Sequence, residues 1–467
     1  MKSVAWLSLC LGLVPLAAGQ STPPSGDSLE AIREEMRQLR VSVTEMSVQL
    51  AGARREIEAM RQELSGASDK NQLAAVAEEQ QLLSAKVDDQ YQTKVESGSK
   101  YRVRLSGLVL LNLFSTTGAV DNLDVPRTAT ARAPGDSNGS FAASMRQSSF
   151  SVALAGPQWR GARTSSEATV DFFGGFPSNP EGVTSGFARL RTAKVTLDWA
   201  RTSVVAGQDQ AFISPLSPTS LASTAYPALG SAGNLWAWTP QIRVEHRFAV
   251  SDVSSAAFQW GVLDPVTGEL PAEYSRIPTA GERSRVPAVA ARFGITRKTR
   301  QRTAAVGAGG YYSRQNWGFN RNTDAWAATA DWDLPAGRWF SFSGEAYRGR
   351  AIGGLGGGAG SAFFSVSALL GSTSVMALDR AGGWAQWKFK PLDWLEFNAA
   401  FGEDYAFPSR RVQGSPSSRN ASGFVNMIWQ PRSNLLFSLE FRRLWTSGFY
   451  EPRQVANHVS LSSGIVF

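Results

Sequence analysis

The sequence of 467 residues contains one cysteine, Cys10, and two histidines, His246 and His458. This composition excludes a scaffold held by disulfide bonds and limits any histidine-dependent catalysis to two positions. The charge is unevenly divided: residues 1–100 have a net charge of −3, whereas residues 101–467 carry 36 Lys or Arg against 25 Asp or Glu, a net charge of +11. Because these cations are scattered and form no Lys/Arg block, the basic balance does not indicate a nucleic-acid partner.

Residues 1–19 have the pattern of a secretory signal peptide. One early lysine, Lys2, precedes an apolar core, and small residues follow that core. The apolar run is too short for a spanning helix, and Cys10 lies within it after the bulky Leu9, which argues against a lipoprotein. We therefore expect an exported mature chain without a thiol.

A heptad repeat follows a Ser/Pro/Gly linker at residues 20–28. Its a and d positions are apolar for five and a half heptads: Leu29, Ile32, Met36, Leu39, Val43, Met46, Leu50, Ala53, Ile57, Met60 and Leu64. This period predicts an α-helical coiled coil over residues 29–90, although residues 65–69 interrupt the seam and a shorter helix follows in another register. The alternative is a single amphipathic helix on a domain surface. Residues 91–100 are a second, polar linker.

From residue 101 onward the side chains alternate with a period of two. In the first such segment, Val103, Leu105 and Val109 alternate with Arg102 and Arg104. Successive side chains of a strand point to opposite faces, so this segment has one apolar face and one polar face. The same alternation recurs in about a dozen later segments, and many of them carry Trp or Phe on the apolar face.

The last two segments carry the pattern most clearly. In residues 435–443, Phe437, Leu439 and Phe441 alternate with Glu440 and Arg442. The final segment, residues 458–467, alternates in the same way and ends with an aromatic residue at the carboxyl terminus. Such an ending resembles the last strand of bacterial outer-membrane proteins.

These patterns predict an all-β transmembrane antiparallel β-barrel over residues 101–467, preceded by the coiled coil. No stretch after the leader has 18 uninterrupted apolar residues, so the chain would cross a membrane as strands. A soluble β-sandwich is the alternative, but so many large aromatic residues would need a very wide core. About 367 residues, at roughly 10 membrane residues per strand plus turns and loops, predict 16 strands, with 18 as the next choice.

The connections fall into two length classes. Residues 391–393 and 430–434 have the composition of tight periplasmic turns. Residues 121–139, 210–233, 265–285 and 349–360 are long and rich in Gly, Pro, Ser and Ala, as expected of outer loops or loops folded inward. In barrels of this kind the last strand ends in the periplasm, so an even strand number places the coiled coil there as well.

Two segments, LSGLVLLNLFSTTGAVDNLDVP at residues 105–126 and AGQDQAFISPLSPTSLASTAYPALGSAGNLWAWTPQIRVEHRF at residues 206–248, resemble the DcaP-like family of bacterial outer-membrane porins. Members of that family join a periplasmic coiled coil to a porin barrel. The resemblance implies a 16-stranded, homotrimeric barrel in the cell outer membrane that passes small anionic solutes. The coil of this chain departs from the family in being long and broken at Gly66.

The candidate functional residues are ionic side chains on the polar faces of the predicted strands. We expect these to line the pore: Arg102, Arg104, Lys194, Arg243, Glu245, Arg247, Arg292, Lys388, Glu440 and Arg442. Fixed positive charge in a narrow lumen raises the local concentration of anions, and arginine binds carboxylate or phosphate with two parallel hydrogen bonds. The alternative for each cation is a structural ion pair with Asp171, Asp198, Glu245, Asp331, Glu345, Glu396 or Glu440.

The predicted function is therefore passive diffusion of small hydrophilic, preferentially anionic solutes through an outer-membrane porin. An enzymatic barrel is the rival from another class, but His246 has the parity of the lipid-facing residues and His458 begins the last strand, near the periplasm. Neither belongs to a Ser or Asp motif, and we expect no cofactor and no metal. A further alternative is a tether that reaches peptidoglycan through the coil, or an adhesin anchored by the barrel.

Overall fold

The computed structural model describes residues 102–176, 186–269, 276–299, 302–318, 321–357, 363–366, 374–407 and 417–467. The predicted signal peptide, coiled coil and linkers lie outside the described residues. Within the described part, no helix is long and apolar enough to cross a membrane.

Antiparallel strands make up nearly all of the described structure. They are β1 Arg102–Thr117, β2 Ala119–Val120, β3 Ala129–Thr130, β4 Gly139–Ser144, β5 Ser149–Ala155, β6 Arg163–Asp171, β7 Arg189–Asp198, β8 Thr202–Gln210, β9 Trp238–Ala249, β10 Ser254–Leu263, β11 Ala288–Lys298, β12 Thr303–Asn316, β13 Asn322–Ala336, β14 Phe340–Arg350, β15 Phe363–Val366, β16 Ser374–Ala377, β17 Asp379–Leu392, β18 Leu395–Ala406, β19 Ser417–Arg432, β20 Leu435–Gly448 and β21 Gln454–Val466. A short helix, α1 Ala280–Arg283, precedes β11, and a 3-10 turn spans Gly353–Leu355.

The main sheet closes into a barrel because the last strand pairs with the first. Ile465 of β21 lies opposite Val109 of β1. On its other side, β1 pairs with β5 through residues 102–108 and with β4 through residues 112–117, so β4 and β5 lie end to end and form one interrupted strand. The seventeen strands of the sheet therefore occupy sixteen positions. This confirms the predicted closed antiparallel barrel and its strand number of 16 rather than 18.

Alternation of side chains separates the two faces of the barrel wall. Apolar side chains of one parity are exposed on the outside, as with Ile242 at 55% and Leu461 at 49%. Polar side chains of the other parity, such as Asn112, Asp404 and Ser460, are buried on the inside. A closed sheet satisfies its backbone hydrogen bonds internally, so such a wall tolerates lipid around it.

The two ends of the barrel differ in the length of their connections. At one end the turns are short, as between β17 and β18 or between β19 and β20. At the other end five connections are long, at residues 118–138, 172–188, 211–237, 264–287 and 351–378, whereas those at residues 317–321 and 449–453 are short. Bacterial outer-membrane barrels have short periplasmic turns and longer extracellular loops, so the long connections mark the extracellular end.

Candidate functional site: the pore interior

The loop at residues 211–237 lies inside the barrel. Its backbone or side chains form hydrogen bonds with inward residues of strands far apart around the wall, including Asn112 of β1 (Leu221 O, 3.1 Å), Thr329 of β13 (Ile213 O, 2.6 Å) and Asn426 of β19 (Thr219 O, 2.9 Å). A loop that reaches all of these strands has to cross the interior. It therefore narrows the pore, and we call residues 211–237 the constriction loop.

Two strands in the middle of the chain hold the first half of the constriction loop. Glu345 of β14 accepts hydrogen bonds from the Leu216 N–H, at 2.7 Å, and from the Ser214 hydroxyl. On β17, Gln386 accepts a hydrogen bond from the Thr219 N–H at 2.6 Å. Glu345 thus forms hydrogen bonds with the loop. The alternative prediction for this residue was a structural ion pair with a cation of the wall.

Glu440 and Arg442 of β20 lie beneath the constriction loop. Arg442 donates two hydrogen bonds to Glu440, at 2.7 and 3.1 Å, and one to the Ser223 hydroxyl at 2.6 Å. Glu440 also accepts a hydrogen bond from the Ser220 hydroxyl. The side chains of Glu440 and Arg442 are only 1% and 3% exposed. This predicted pair therefore anchors the loop and is covered by it.

The cations on β7 and β9 are more accessible. Lys194 of β7 and Arg243 of β9 both approach Asp209 of β8, at 3.2 and 2.9 Å. The side chain of Lys194 also lies 3.8 Å from Glu167 of β6. The structure therefore brings two predicted pore residues together around one carboxylate that the sequence did not single out.

Arg247 and Glu245 form a second group near the short-turn end of β9. Arg247 donates to Asp198 at 2.7 Å, to Glu245 at 3.3 Å and to the Ser203 hydroxyl at 2.9 Å. Its side chain is 37% exposed, so it stays accessible to solvent despite these hydrogen bonds.

The remaining predicted residues are separate from these groups. Arg292 of β11 binds Asp331 of β13 with two hydrogen bonds, at 2.6 and 2.9 Å. Lys388 of β17 lies 3.0 Å from Glu396 of β18. Arg102 and Arg104 are exposed at the start of β1, at the short-turn end of the wall.

A group of arginine and aromatic side chains at the edge of the constriction loop was not predicted. Arg189 and Arg191 of β7 both approach the carboxylate of Asp171, at 2.7 and 3.6 Å. Both guanidinium groups lie over the ring of Trp238, at 5.2 and 4.9 Å from its centroid. We call Asp171, Arg189, Arg191 and the rings beside them the arginine–aromatic cluster.

The constriction loop completes this cluster. Its Tyr226 ring lies 4.8 Å from the Arg189 guanidinium, and Arg189 donates a hydrogen bond to the Ala225 carbonyl at 2.7 Å. Trp236 of the loop packs edge-on against both Tyr226 and Trp238. Arg189 and Arg191 share one side of β7 by simple alternation, which was a possible signal. A bulge between β6 and β7 at this point reverses their parity relative to Lys194, so that Leu190 is exposed like Val195 and both arginines lie on the inward side.

The two histidines have structural partners. His246 carries the outward parity of Ile242 and Phe248, accepts or donates a hydrogen bond with the Thr202 hydroxyl at 2.8 Å, and packs edge-on against Phe248. His458 is buried and bonds with the Thr116 hydroxyl at 2.9 Å. The prediction that His458 lies near the periplasm was wrong: β21 runs from the long-loop end to the short-turn end, so its first residues lie at the far end from Phe467.

Two acidic residues in the long connection at 264–287 have shifted pKa values. Burial raises the pKa of Asp264, and the nearby Glu282 carboxylate adds to this effect. The pKa of Glu282 is lowered, chiefly because the Thr279 backbone N–H donates to its carboxylate in the cap of α1. Glu282 therefore stays ionised and holds the start of this helix in neutral solution.

No protein-family model and no curated protein matches this sequence. Among solved structures, the chain is similar to the outer membrane channel DcaP of Acinetobacter baumannii, with 14% sequence identity, a TM-score of 0.62, and coverage of 80% of this chain and 100% of that chain. An anion-selective porin from Comamonas acidovorans matches with 10% identity and a TM-score of 0.45 over 79% of this chain and all of that one. A trimer form of OmpT from Vibrio cholerae matches with 9% identity and a TM-score of 0.48, and the match covers 79% of this chain and 100% of that chain.

The similarity to DcaP confirms the predicted resemblance at the level of the fold. The chain has the fold of that protein, a closed 16-stranded antiparallel barrel, and its apolar outer face fits a location in the outer membrane.

Proposed function

We propose that the protein is a porin through which small hydrophilic solutes, preferentially anions with carboxylate or phosphate groups, diffuse passively. The arginine–aromatic cluster is the observation that carries this proposal. Arg189 and Arg191 share the single carboxylate of Asp171. Two guanidinium groups against one carboxylate leave an excess of positive charge at the edge of the constriction loop.

An excess charge at a constriction has a larger effect than the same charge on an open surface. The low-dielectric wall concentrates its field in the water that remains, which favours entry of anions and opposes cations. The aromatic faces of Tyr226 and Trp238 hold the guanidinium planes without neutralising them. Solutes would therefore meet partly unpaired N–H donors that suit a planar carboxylate or a phosphate.

The other inward cations contribute less to selectivity, because most have a carboxylate partner of their own. Arg292 with Asp331 and Lys388 with Glu396 are one-to-one pairs. We infer that these pairs stabilise the wall and that Arg102 and Arg104, at the short-turn end, add positive charge to that entrance. In this proposal the barrel has no enzymatic activity, assembles as a homotrimer in the outer membrane, and extends its coiled coil into the periplasm.

Single-channel recording in a KCl gradient tests the proposal. We expect the full chain in a planar bilayer to be more permeable to chloride than to potassium. An Arg189→Gln/Arg191→Gln variant should lose much of this preference, whereas Arg338→Gln, on a turn at the short-turn end, should keep it. Cation preference in the unsubstituted protein at low salt would contradict the anion proposal.

A further inference from the structure

The outside of the barrel carries a basic and aromatic patch at the long-loop end of β19–β21. Strand pairing aligns Trp445 of β20 with Ala421 of β19 and with Val455 of β21. Their parity is that of the exposed Val425 and Phe441, which belong to the apolar outer face. The patch therefore faces away from the pore and lies where that face meets the extracellular loops.

Two arginines flank the indole of Trp445. The guanidinium carbons of Arg443 and Arg453 both lie 5.6 Å from the centroid of the ring. In the part of the chain that the structure describes, neither arginine has an Asp or Glu partner within salt-bridge distance. The neighbouring Arg419 differs, since it pairs with Glu403 at 2.7 Å. Among the described residues, Arg443 and Arg453 thus bring positive charge to the patch without a carboxylate in direct contact.

Small residues beside Trp445 leave a groove between the side chains. A cavity of about 160 Å³ is lined by Phe401, Arg419, Ala421, Trp445, Ser447 and Arg453. Gly423 has no side chain to fill the space between the rings of Phe401 and Trp445, which lie 6.4 Å apart. The groove is apolar on the side toward the middle of the barrel and cationic on the side toward the loops.

We propose that this patch binds the phosphate of a glycolipid headgroup in the outer leaflet. Arginine is suited to phosphate because its planar fork donates parallel hydrogen bonds, and tryptophan favours the depth at which acyl chains meet headgroups. In helical membrane proteins, basic pockets at the membrane surface bind anionic lipid headgroups by the same chemistry. Acyl chains of such a lipid would lie along the apolar face formed by Val425, Phe441 and Val459, directly below the two guanidinium groups.

A second copy of this chain is the other candidate occupant. A protein interface over the patch would have to provide carboxylates for Arg443 and Arg453, because burial of unpaired charges is costly. A phosphorylated lipid provides the anion and the apolar chains together, which matches the two sides of the groove.

Native mass spectrometry of the full chain in detergent tests this proposal. The probe is a bisphosphorylated glucosamine-disaccharide lipid, compared with its dephosphorylated form. We expect Arg443→Ala/Arg453→Ala to weaken binding of the phosphorylated lipid by at least about tenfold, as the loss of two charge-assisted contacts implies. The control is Arg338→Ala, which removes an arginine that lies 4.4 Å from the ring of Trp339 at the other end of the barrel.

Equal binding of the two lipid forms, or unchanged binding by the double variant, would overturn the proposal. Resistance to dodecyl sulfate at room temperature verifies that each variant is a folded barrel. A photo-reactive amino acid at position 447, which lines the groove and leaves Arg443 and Arg453 in place, provides an independent measurement in whole membranes. A lipid adduct supports the proposal, whereas a chain-to-chain adduct would assign the patch to an interface between copies.

Discussion

The Oε1 atom of Glu345 accepts a hydrogen bond from the backbone N–H of Leu216 at 2.7 Å, which ties the constriction loop to strand β14. The same carboxylate also accepts from the Ser214 hydroxyl, and both partners are 129 or more residues away in the chain. One buried side chain thus forms two of the hydrogen bonds that hold the loop that narrows the pore.

Replacement of Glu345 should widen the pore. Glu345→Ala leaves the Leu216 N–H without its acceptor, at about 1–3 kcal/mol for the unsatisfied group, and leaves the Ser214 hydroxyl with the Leu235 carbonyl, at 2.7 Å, as its acceptor. Because closure of the barrel does not depend on the loop, we expect a folded protein with a higher and noisier single-channel conductance. Asp333→Ala, an inward carboxylate on β13 beyond the loop, is the control. A conductance unchanged from the wild type would show that the loop is held without Glu345.

Removal of the two arginines on β9 should reduce anion preference. In Arg243→Ala/Arg247→Ala, Asp209 and Asp198 each lose one of two cations, and Lys194 and Arg163 remain beside them. The lumen thereby loses two fixed positive charges. The reversal potential in a KCl gradient should move toward the equilibrium potential of potassium. The change should shrink as the salt concentration rises, since charges are screened within about 8 Å at 0.15 M ionic strength. Arg297→Ala, on the outward parity of β11, should leave the reversal potential unchanged.

Neutralisation of Asp171 should have the opposite effect. Asp171→Asn keeps the size of the side chain but removes the one carboxylate that Arg189 and Arg191 share. We expect stronger chloride preference and longer interruptions of the current by divalent organic anions. If selectivity instead stays constant while Arg189→Gln/Arg191→Gln also has no effect, the arginine–aromatic cluster lies outside the conducting path.

Substitution at the closing seam should weaken the barrel. The Gly107 N–H donates to the Phe467 carbonyl at 2.9 Å, and a Cβ on Gly107 would lie 2.6 Å from the Phe467 ring and 2.8 Å from the Ser149 carbonyl. Gly107→Ala should therefore cost roughly 1–3 kcal/mol through overpacking. The measurement is the temperature at which heat-modifiable mobility on gels is lost. Gly310→Ala, whose Cβ would have only one neighbour, at 3.8 Å, is the matched control.

The heptad segment should associate by itself. A peptide of residues 27–65 has an apolar seam that only a partner helix can cover, so we expect parallel helices, three in number if they match porin symmetry. Sedimentation equilibrium at tens of micromolar measures the stoichiometry. Glutamate at two consecutive d positions, Leu39 and Met46, should abolish association, and a wild-type peptide that remains monomeric would contradict the prediction.

The sequence by itself determined the class of fold and the orientation of the wall. An alternation with period two, as in Phe437, Leu439 and Phe441 against Glu440 and Arg442, is local information, and each strand shows it without reference to its neighbours. Chain length then set a strand number close to the 16 that closure of β21 on β1 confirms. The same local rule placed His246 outside and Arg243 inside.

Only the tertiary structure decided which polar residues remain near the lumen and which partners they have. Glu440 and Arg442 have the inward parity, but the constriction loop covers them, and its contacts join residues more than two hundred positions apart. Arg189 and Arg191 come to one carboxylate because a bulge changes the register between β6 and β7. Loop placement and strand register depend on contacts across the barrel. The periodicity of side chains along a single strand therefore does not predict them.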